Sequence, residues 1–341
     1  MHQRRVSPSQ LRRLAEELAE VGFTLDGREP WHALALEEID YALRPRVHER
    51  RVPSVGALIE PTMAHTSWEE STNLQIDRRP VGDRSIDSAR LYADGASTWL
   101  IRRLNHRDEW AVFNRPAGSE RDLVVLAEAL GAVVVQRHRS GLVRIVGAFG
   151  VFRWDGLRWH HEPLVSSWMD AVVDECTGGS DRAVLEMLLE FAVHDLGSRG
   201  TGAILVYRAQ DDLQTNREPR MMLPPELDLR RPFDLAPLHH VLSQTDGAAL
   251  VDETGVLREI GVRLVPSPEA EQGVEGFRGM RHTAGRRYSF DDPTATVIVV
   301  SEDGPVTVLR GGRILGASAP VPDEDDDPIV DDEPLPPPAA G

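Results

Sequence analysis

The chain has 341 residues, 41% of them hydrophobic and 27% charged, which is long for one core and predicts two soluble domains. Its formal net charge of −17 argues against a duplex-binding surface, and all 38 basic residues are arginine, which excludes lysine-dependent P-loop chemistry. The single cysteine, Cys176, excludes an intrachain disulfide, and no apolar run reaches the roughly 18 residues of a membrane span.

The N-terminal MHQRRVSPSQLRRLAEEL has no apolar core of a secretory signal, so cytoplasmic placement is the expectation. SPSQLRRLAEELAEVGF pairs a capping serine with a first-turn proline and leucines at helical spacing, and WHALALEEIDYALR predicts a second helix. These helices fill residues 1–45. Residues 45–90 are rich in Pro, Ser, Asp and Arg and read as connecting loops with room for one strand. From Ser97 the pattern alternates: STWLIRRL, WAVF, AVVVQRH, LVRIVGAFGVFRW and GLRWHH as strands, with a helix near ERDLVVLAEALG. A small α+β domain over 46–178 is expected, closing on the helix LVSSWMDAVVDE and a Gly-Gly-Ser break at 178–180. A second domain over 181–316 alternates helices (DRAVLEMLLEFAVHDLGS, FDLAPLHHVLSQ capped by Asp234) with strands (GAILVYR, AALV, LREIGVRLV, TATVIVV, PVTVLRGG) around one mixed sheet. The fold class is therefore α+β. VPDEDDDPIVDDEPLPPPAAG, within 317–341, combines acids and prolines with little to bury and reads as a disordered tail.

The second domain holds the candidate site. Asp246 opens a strand, where a carboxylate can face a cleft and hold Mg²⁺ or Mn²⁺. Gly247 and Ala248 let a ligand approach the backbone closely. Glycines at 273, 276 and 279 lead into a helix at Arg281 and His282, and a helix N-terminus offers free N–H groups to an anion. Ser301 and Glu302 end the apolar strand TATVIVV. Each element alone is commonly a turn or a cap; the order of the elements is the signal.

That order, in EMLLEFAVHDLGSRGTGAILVYR, RPFDLAPLHHVLSQTDGAALVDETGVLREIGVRL and GMRHTAGRRYSFDDPTATVIVVSEDG, resembles the diadenylate cyclase (DAC) domain of the DNA-integrity scanning protein family and its membrane-anchored relatives, from about Arg182 to Leu315. The resemblance implies condensation of two ATP into cyclic di-AMP with release of two pyrophosphates, between two domains facing each other in a homodimer or higher homo-oligomer. It implies Asp246 as ligand of Mg²⁺ or Mn²⁺. Arg281, His282 and Thr283 would bind the triphosphate, with Gly279 and Met280 beside them and Ser301 and Glu302 opposite. Gly247 and Ala248 would shape the ribose and phosphate side, and the Arg258–Leu264 strand would lie near adenine. Three departures stand out: Thr283 replaces the second arginine of the family's RHR, with Arg286 and Arg287 one turn on; Gly285 interrupts an alanine-rich helix; and Asp303 replaces a glutamate. They keep open an alternative, a degenerate DAC-like module that binds ATP or a cyclic dinucleotide without turnover. STWLIRRL through GVFRWDGLRW is more loosely similar to the sensor domains fused ahead of some DAC domains.

A second Asp-Gly-Ala at 94–96 and a second Arg-His-Arg at 137–139 lack the hairpin and the Ser-Glu turn. They read as a coincidence of common residues, in preference to a diverged internal duplication. The adjacent pairs His160-His161 and His239-His240 diverge too far to share a metal, Trp154, Trp159 and Trp168 read as core, and Cys176 as inert.

Overall fold

The structure, a computed structural model, describes residues 7–45, 52–61, 69, 72–173, 179–208, 217–219, 221, 223–277, 279–303 and 305–318. Cys176 and residues 319–341 of the acidic tail lie outside them, as does the side chain of Trp168.

The chain forms two mixed sheets with helices on both faces, an α+β architecture. The N-terminal unit opens with α1 (Pro8–Glu20), whose cap Ser7 accepts from the Gln10 N–H, and α2 (Trp31–Leu43). Their apolar faces close one side of an eight-stranded sheet. Its strands are β1 (Val55–Ile59), β2 (Ile76–Pro80), β3 (Thr98–Arg102), β4 (Glu109–Phe113), β5 (Val133–Arg137), β6 (Val143–Gly147), β7 (Gly150–Trp154) and β8 (Trp159–Glu162). A short helix, α3 (Ile86–Arg90), precedes β3, and α4 (Glu120–Leu130) covers the other face from a Ser119–Asp122 capping box to Gly131 in the left-handed region. The expectation of connecting loops with room for one strand over 45–90 is met by β1, VGALI, fully buried in the middle of the sheet, and corrected by β2 and α3, which lie in the same stretch.

Helix α5 (Val165–Val173) leads to the second unit, which starts with α6 (Gly179–Glu190). That helix widens into a π segment, Phe191–Leu196, and ends in a 3₁₀ turn, Gly197–Arg199. Then follow β9 (Ala203–Arg208), β10 (Arg217–Glu218), α7 (Pro232–Gln244), β11 (Ala248–Asp252), β12 (Leu257–Leu264), α8 (Pro268–Gly273), α9 (Met280–Asp291), β13 (Thr296–Val300), β14 (Val306–Arg310) and β15 (Arg313–Ala317). Asp234 is not the cap of α7. That position is Arg231, and Asp234, one turn in, accepts the N–H of Asp228. The π segment, α6 and α7 pack on one face of this sheet, and Tyr288 of α9 joins the core on the other.

The two sheets have the same topology. The order is β2-β4-β3-β1-β5-β6-β7 in the first, before β8, and β10-β12-β11-β9-β13-β14-β15 in the second. The only parallel pairs among these strands are β1/β3 and β9/β11, again at equivalent places. Superposing the central strands, Ala57 on Leu205, brings Leu100 onto Ala249 and Val135 onto Ile298. The two domains thus share a strand order that the sequence did not announce. The repeated tripeptides are nonetheless not equivalent. In this register Ser97 takes the place of Asp246, and Arg137-His138-Arg139 the place of Val300-Ser301-Glu302.

Candidate active site

Residues from three parts of the second sheet meet at the start of β11. Asp246, Gly247, Met280, Arg281, His282, Ser301 and Glu302 line one cavity of about 580 Å³, together with Val300 and Asp303. Ala248, Leu264, Gly279 and Thr283 do not line it. Ala248 and Leu264 are buried in their strands.

Gly247 sits at φ 102°, and a Cβ there would come within 2.8 Å of the Gly261 carbonyl carbon and 2.9 Å of the Val262 oxygen. The bulged pairing of β11 with β12 thus needs a glycine beside Asp246. The Asp246 carboxylate makes no hydrogen bond or ion pair among the described residues and stands exposed. Gly279 supplies the N-cap of α9 at φ 102° with no side-chain cap, so the first-turn N–H groups of the helix are left for a ligand. Thr283 is committed to the glycine-rich approach: its hydroxyl accepts the Phe277 N–H at 3.0 Å.

Arg281 donates to Glu302 at 2.9 Å across the cavity, with both side chains open to solvent. Gly202, a residue that sequence reasoning missed, makes that contact possible. A Cβ at 202 would lie 2.4 Å from Arg281 Nη1 and 2.9 Å from Glu302 Cγ. The Gly-Thr-Gly ahead of β9 marks a close approach there without naming its partners. His282 is buried, with Nε2 3.3 Å from the Thr307 hydroxyl and its ring edge-on to Phe277. The Ser301 hydroxyl has no partner among the described residues, while its N–H is held by Pro305 O.

Two of the three departures now have physical accounts. Gly285 lets α9 lie against β13: a Cβ would meet Val299 Cγ2 at 2.9 Å and Val297 Cγ1 at 3.2 Å. Arg286 and Arg287 point away from the cavity, donating to Gly312 O and Val274 O, so neither replaces the second arginine. Among the described lining residues Arg281 is the one guanidinium.

The rejected candidates stay apart. His160 bonds Asp155 and His161 bonds Phe149 O, and Trp154 and Trp159 pack into the first core. No helix among the described residues is long and apolar enough to cross a membrane.

A mixed-sheet domain with a polar cavity at strand ends and a helix N-terminus is the kind that binds phosphorylated ligands. Residues 190–314 match the family described as DisA bacterial checkpoint controller nucleotide-binding (DAC), and residues 12–162 match the Probable sensor domain DACNK. The chain therefore carries a DACNK sensor domain followed by a DAC nucleotide-binding domain. No curated protein matches it. Among solved structures, the crystal structure of a hypothetical membrane spanning protein from Bacillus cereus is similar at 19% identity over 46% of this chain and 87% of that one, with a TM-score of 0.30.

Proposed function

We propose that the second domain is a diadenylate cyclase, joining two ATP into cyclic di-AMP and releasing two pyrophosphates. The observation that carries this reading is the convergence on one cavity of the unpartnered Asp246, the uncapped N-terminus of α9 and the Ser301-Glu302 turn, from three separate stretches of sequence.

The exposed carboxylate of Asp246, a hard oxygen donor with no partner among the described residues, fits a hard divalent cation. Among the described residues no group of three or more His, Cys, Asp or Glu could hold a metal unaided. Mg²⁺ commonly takes one or two carboxylates and completes its shell with substrate phosphates and water. Held by Asp246, such an ion supplies charge neutralisation at the phosphate oxygens. The chain's own groups position the nucleotide: the α9 N–H groups and Arg281 hold phosphate oxygens, Ser301 donates from the opposite strand, and Gly247 admits the ribose edge. In the reaction the 3′-oxygen of one ATP bonds to the α-phosphorus of the other, the α–β bridging bond breaks, and pyrophosphate leaves. The hydroxyl proton passes to solvent or to a nearby carboxylate. The same step in the opposite sense closes the ring. One cavity holds one ATP, so a second copy must face the first. Met280, 91% exposed at the cavity rim, is an apolar side chain that such a copy would cover.

A second reading, nucleotide binding without turnover, is favoured by the commitment of Arg286 and Arg287 elsewhere. One experiment separates the two. Purified protein is incubated with ATP and Mn²⁺ or Mg²⁺, with Asp246→Asn beside it, and the nucleotides are resolved by chromatography and mass spectrometry. Cyclic di-AMP from the wild type alone supports the cyclase. Bound ATP with no pyrophosphate released would leave the binder.

A further inference from the structure

The first sheet has its own cavity, of about 720 Å³, at the end that corresponds to the candidate active site. It lies between the domains. Asp94, Ser119, His138, Arg139 and Arg144 of the first domain line it, and Ser198 and Arg199 of the second complete it.

Its chemistry is inverted relative to the site in the second domain. Where that site has Asp246, this one has Ser97; where it has Ser301 and Glu302 at the end of β13, this one has His138 and Arg139 at the end of β5. The acids that remain are already used. Asp94 Oδ1 accepts the N–H groups of Ala96, Ser97 and Thr98, Asp122 belongs to the α4 capping box, and Glu120 is buried against Arg153, Arg144 and His194. Arg144 is held by Glu120 and Gln136, whereas the two exposed cations are held loosely or not at all. Arg139 is exposed and makes no hydrogen bond or ion pair among the described residues. Among the described residues Arg199 has a long contact of 3.7 Å to Asp195. Arg144, 6% exposed, has an Nε with no hydrogen-bond partner. Burial, then Arg144 and Arg139, push the His138 pKa down. Two exposed guanidiniums, Arg139 and Arg199, beside acids already engaged by backbone N–H groups or buried cations attract an anion.

We infer that this inter-domain cavity binds a nucleotide through its phosphates, without a metal ion. The volume falls within the usual range of about 300–1,000 Å³ for small-ligand pockets. The chain also gives the bound nucleotide a direct route to the other site. Arg199 lines the first cavity, a Cβ at Gly200 would meet Glu302 O at 3.0 Å, and Gly202 packs under the Arg281–Glu302 pair of the second. A ligand that orders Ser198 and Arg199 therefore acts within four residues of the second cavity. The inference stands on the residues of this cavity and does not require the second domain to be an active cyclase.

The test uses the full chain in EDTA, titrated calorimetrically with ATP, AMP, cyclic di-AMP and inorganic phosphate in turn. At least one nucleotide should bind. Arg139→Glu, at an exposed position with no described partner, should weaken it tenfold or more, and Arg281→Ala should leave it within about twofold. Hydrogen exchange at 197–202 should slow on binding in the wild type. Absence of binding by every nucleotide, or binding lost in Arg281→Ala and unmoved in Arg139→Glu, would overturn the site. Phosphate binding as tightly as any nucleotide would overturn the ligand class, and unchanged exchange at 197–202 would overturn the coupling.

Discussion

Gly285 sits in the middle of α9, and replacing it with alanine sets two effects of known size against each other. Alanine is favoured over glycine in a helix interior by about 1 kcal/mol. Against that, the new Cβ would stand 2.9 Å from Val299 Cγ2, 3.2 Å from Val297 Cγ1 and 3.3 Å from Leu309 Cδ1. All three side chains are fully buried, and valine has little rotamer freedom with which to retreat. Either β13 yields by roughly half an ångström or the helix lifts, and overpacking of this kind costs about 1–3 kcal/mol. Gly285→Ala should therefore lose about 1 kcal/mol net and displace Arg281, one turn away, from Glu302. Gly273→Ala is the matched control. It ends α8, and its Cβ would meet nothing within 4 Å, so it should be neutral or gain up to about 1 kcal/mol. Chemical denaturation of both variants, followed by circular dichroism, gives the comparison. Equal stabilisation by the two substitutions would mean that α9 does not lie close against β13, and the account of the missing alanine-rich helix would fall with it.

Gly202→Ala should change stability little, because its Cβ meets the movable end of Arg281, yet weaken ATP binding about tenfold by breaking the Arg281–Glu302 pair; calorimetry with Mg²⁺ reads it. Burial would raise the Glu120 carboxyl, but Arg153 and then His194 outweigh it and hold it well below the carboxylate range. Glu120→Gln would leave Arg144 buried without its counter-charge and Arg153 with Glu162 alone, so a loss of about 3–5 kcal/mol is expected, seen as a lower melting temperature. Burial pushes Glu162 up, with Glu120 adding and Arg153 opposing, from an ordinary 4.5 to about 7. The folded state then holds a proton that the unfolded state has released between those values, so stability falls as pH rises from about 4.5 to 7, by about 3 kcal/mol in all. Glu162→Gln should remove that slope, and parallel melting curves for wild type and variant from pH 4.5 to 8 would refute it.

Much of the second domain was legible because its elements carry strong local signals. TATVIVV is apolar throughout, DETG closes a hairpin with Gly255 at φ 83°, and the glycine approach to Arg281 marks a helix start. The elements that were missed lack such signals. β2, IDRRP, is polar and largely exposed, α3 is five residues long, and the π segment at Phe191–Leu196 keeps the apolar spacing of an ordinary helix. Gly202 could not be placed, since its role depends on two side chains 79 and 100 residues away that only the fold brings to it.

The repeated motifs show why letters and architecture part company. Asp-Gly-Ala occurs ahead of β3 and of β11, but three residues out of register. A shift of three would exchange the two faces of the strand, which the buried cores on each side forbid. Arg-His-Arg occurs at the end of β5, where the second domain has Val-Ser-Glu. The tripeptides are a coincidence of common residues while the strand order is shared, because a fold can recur through strand order and face alternation while the site residues are exchanged. The exchange itself carries functional meaning. One copy of the cavity keeps carboxylates beside a single exposed guanidinium, and the other gathers arginines around acids that are already satisfied. Two copies of one scaffold thus differ in the charge they present to a phosphate, and the short segment from Arg199 to Gly202 lies against both.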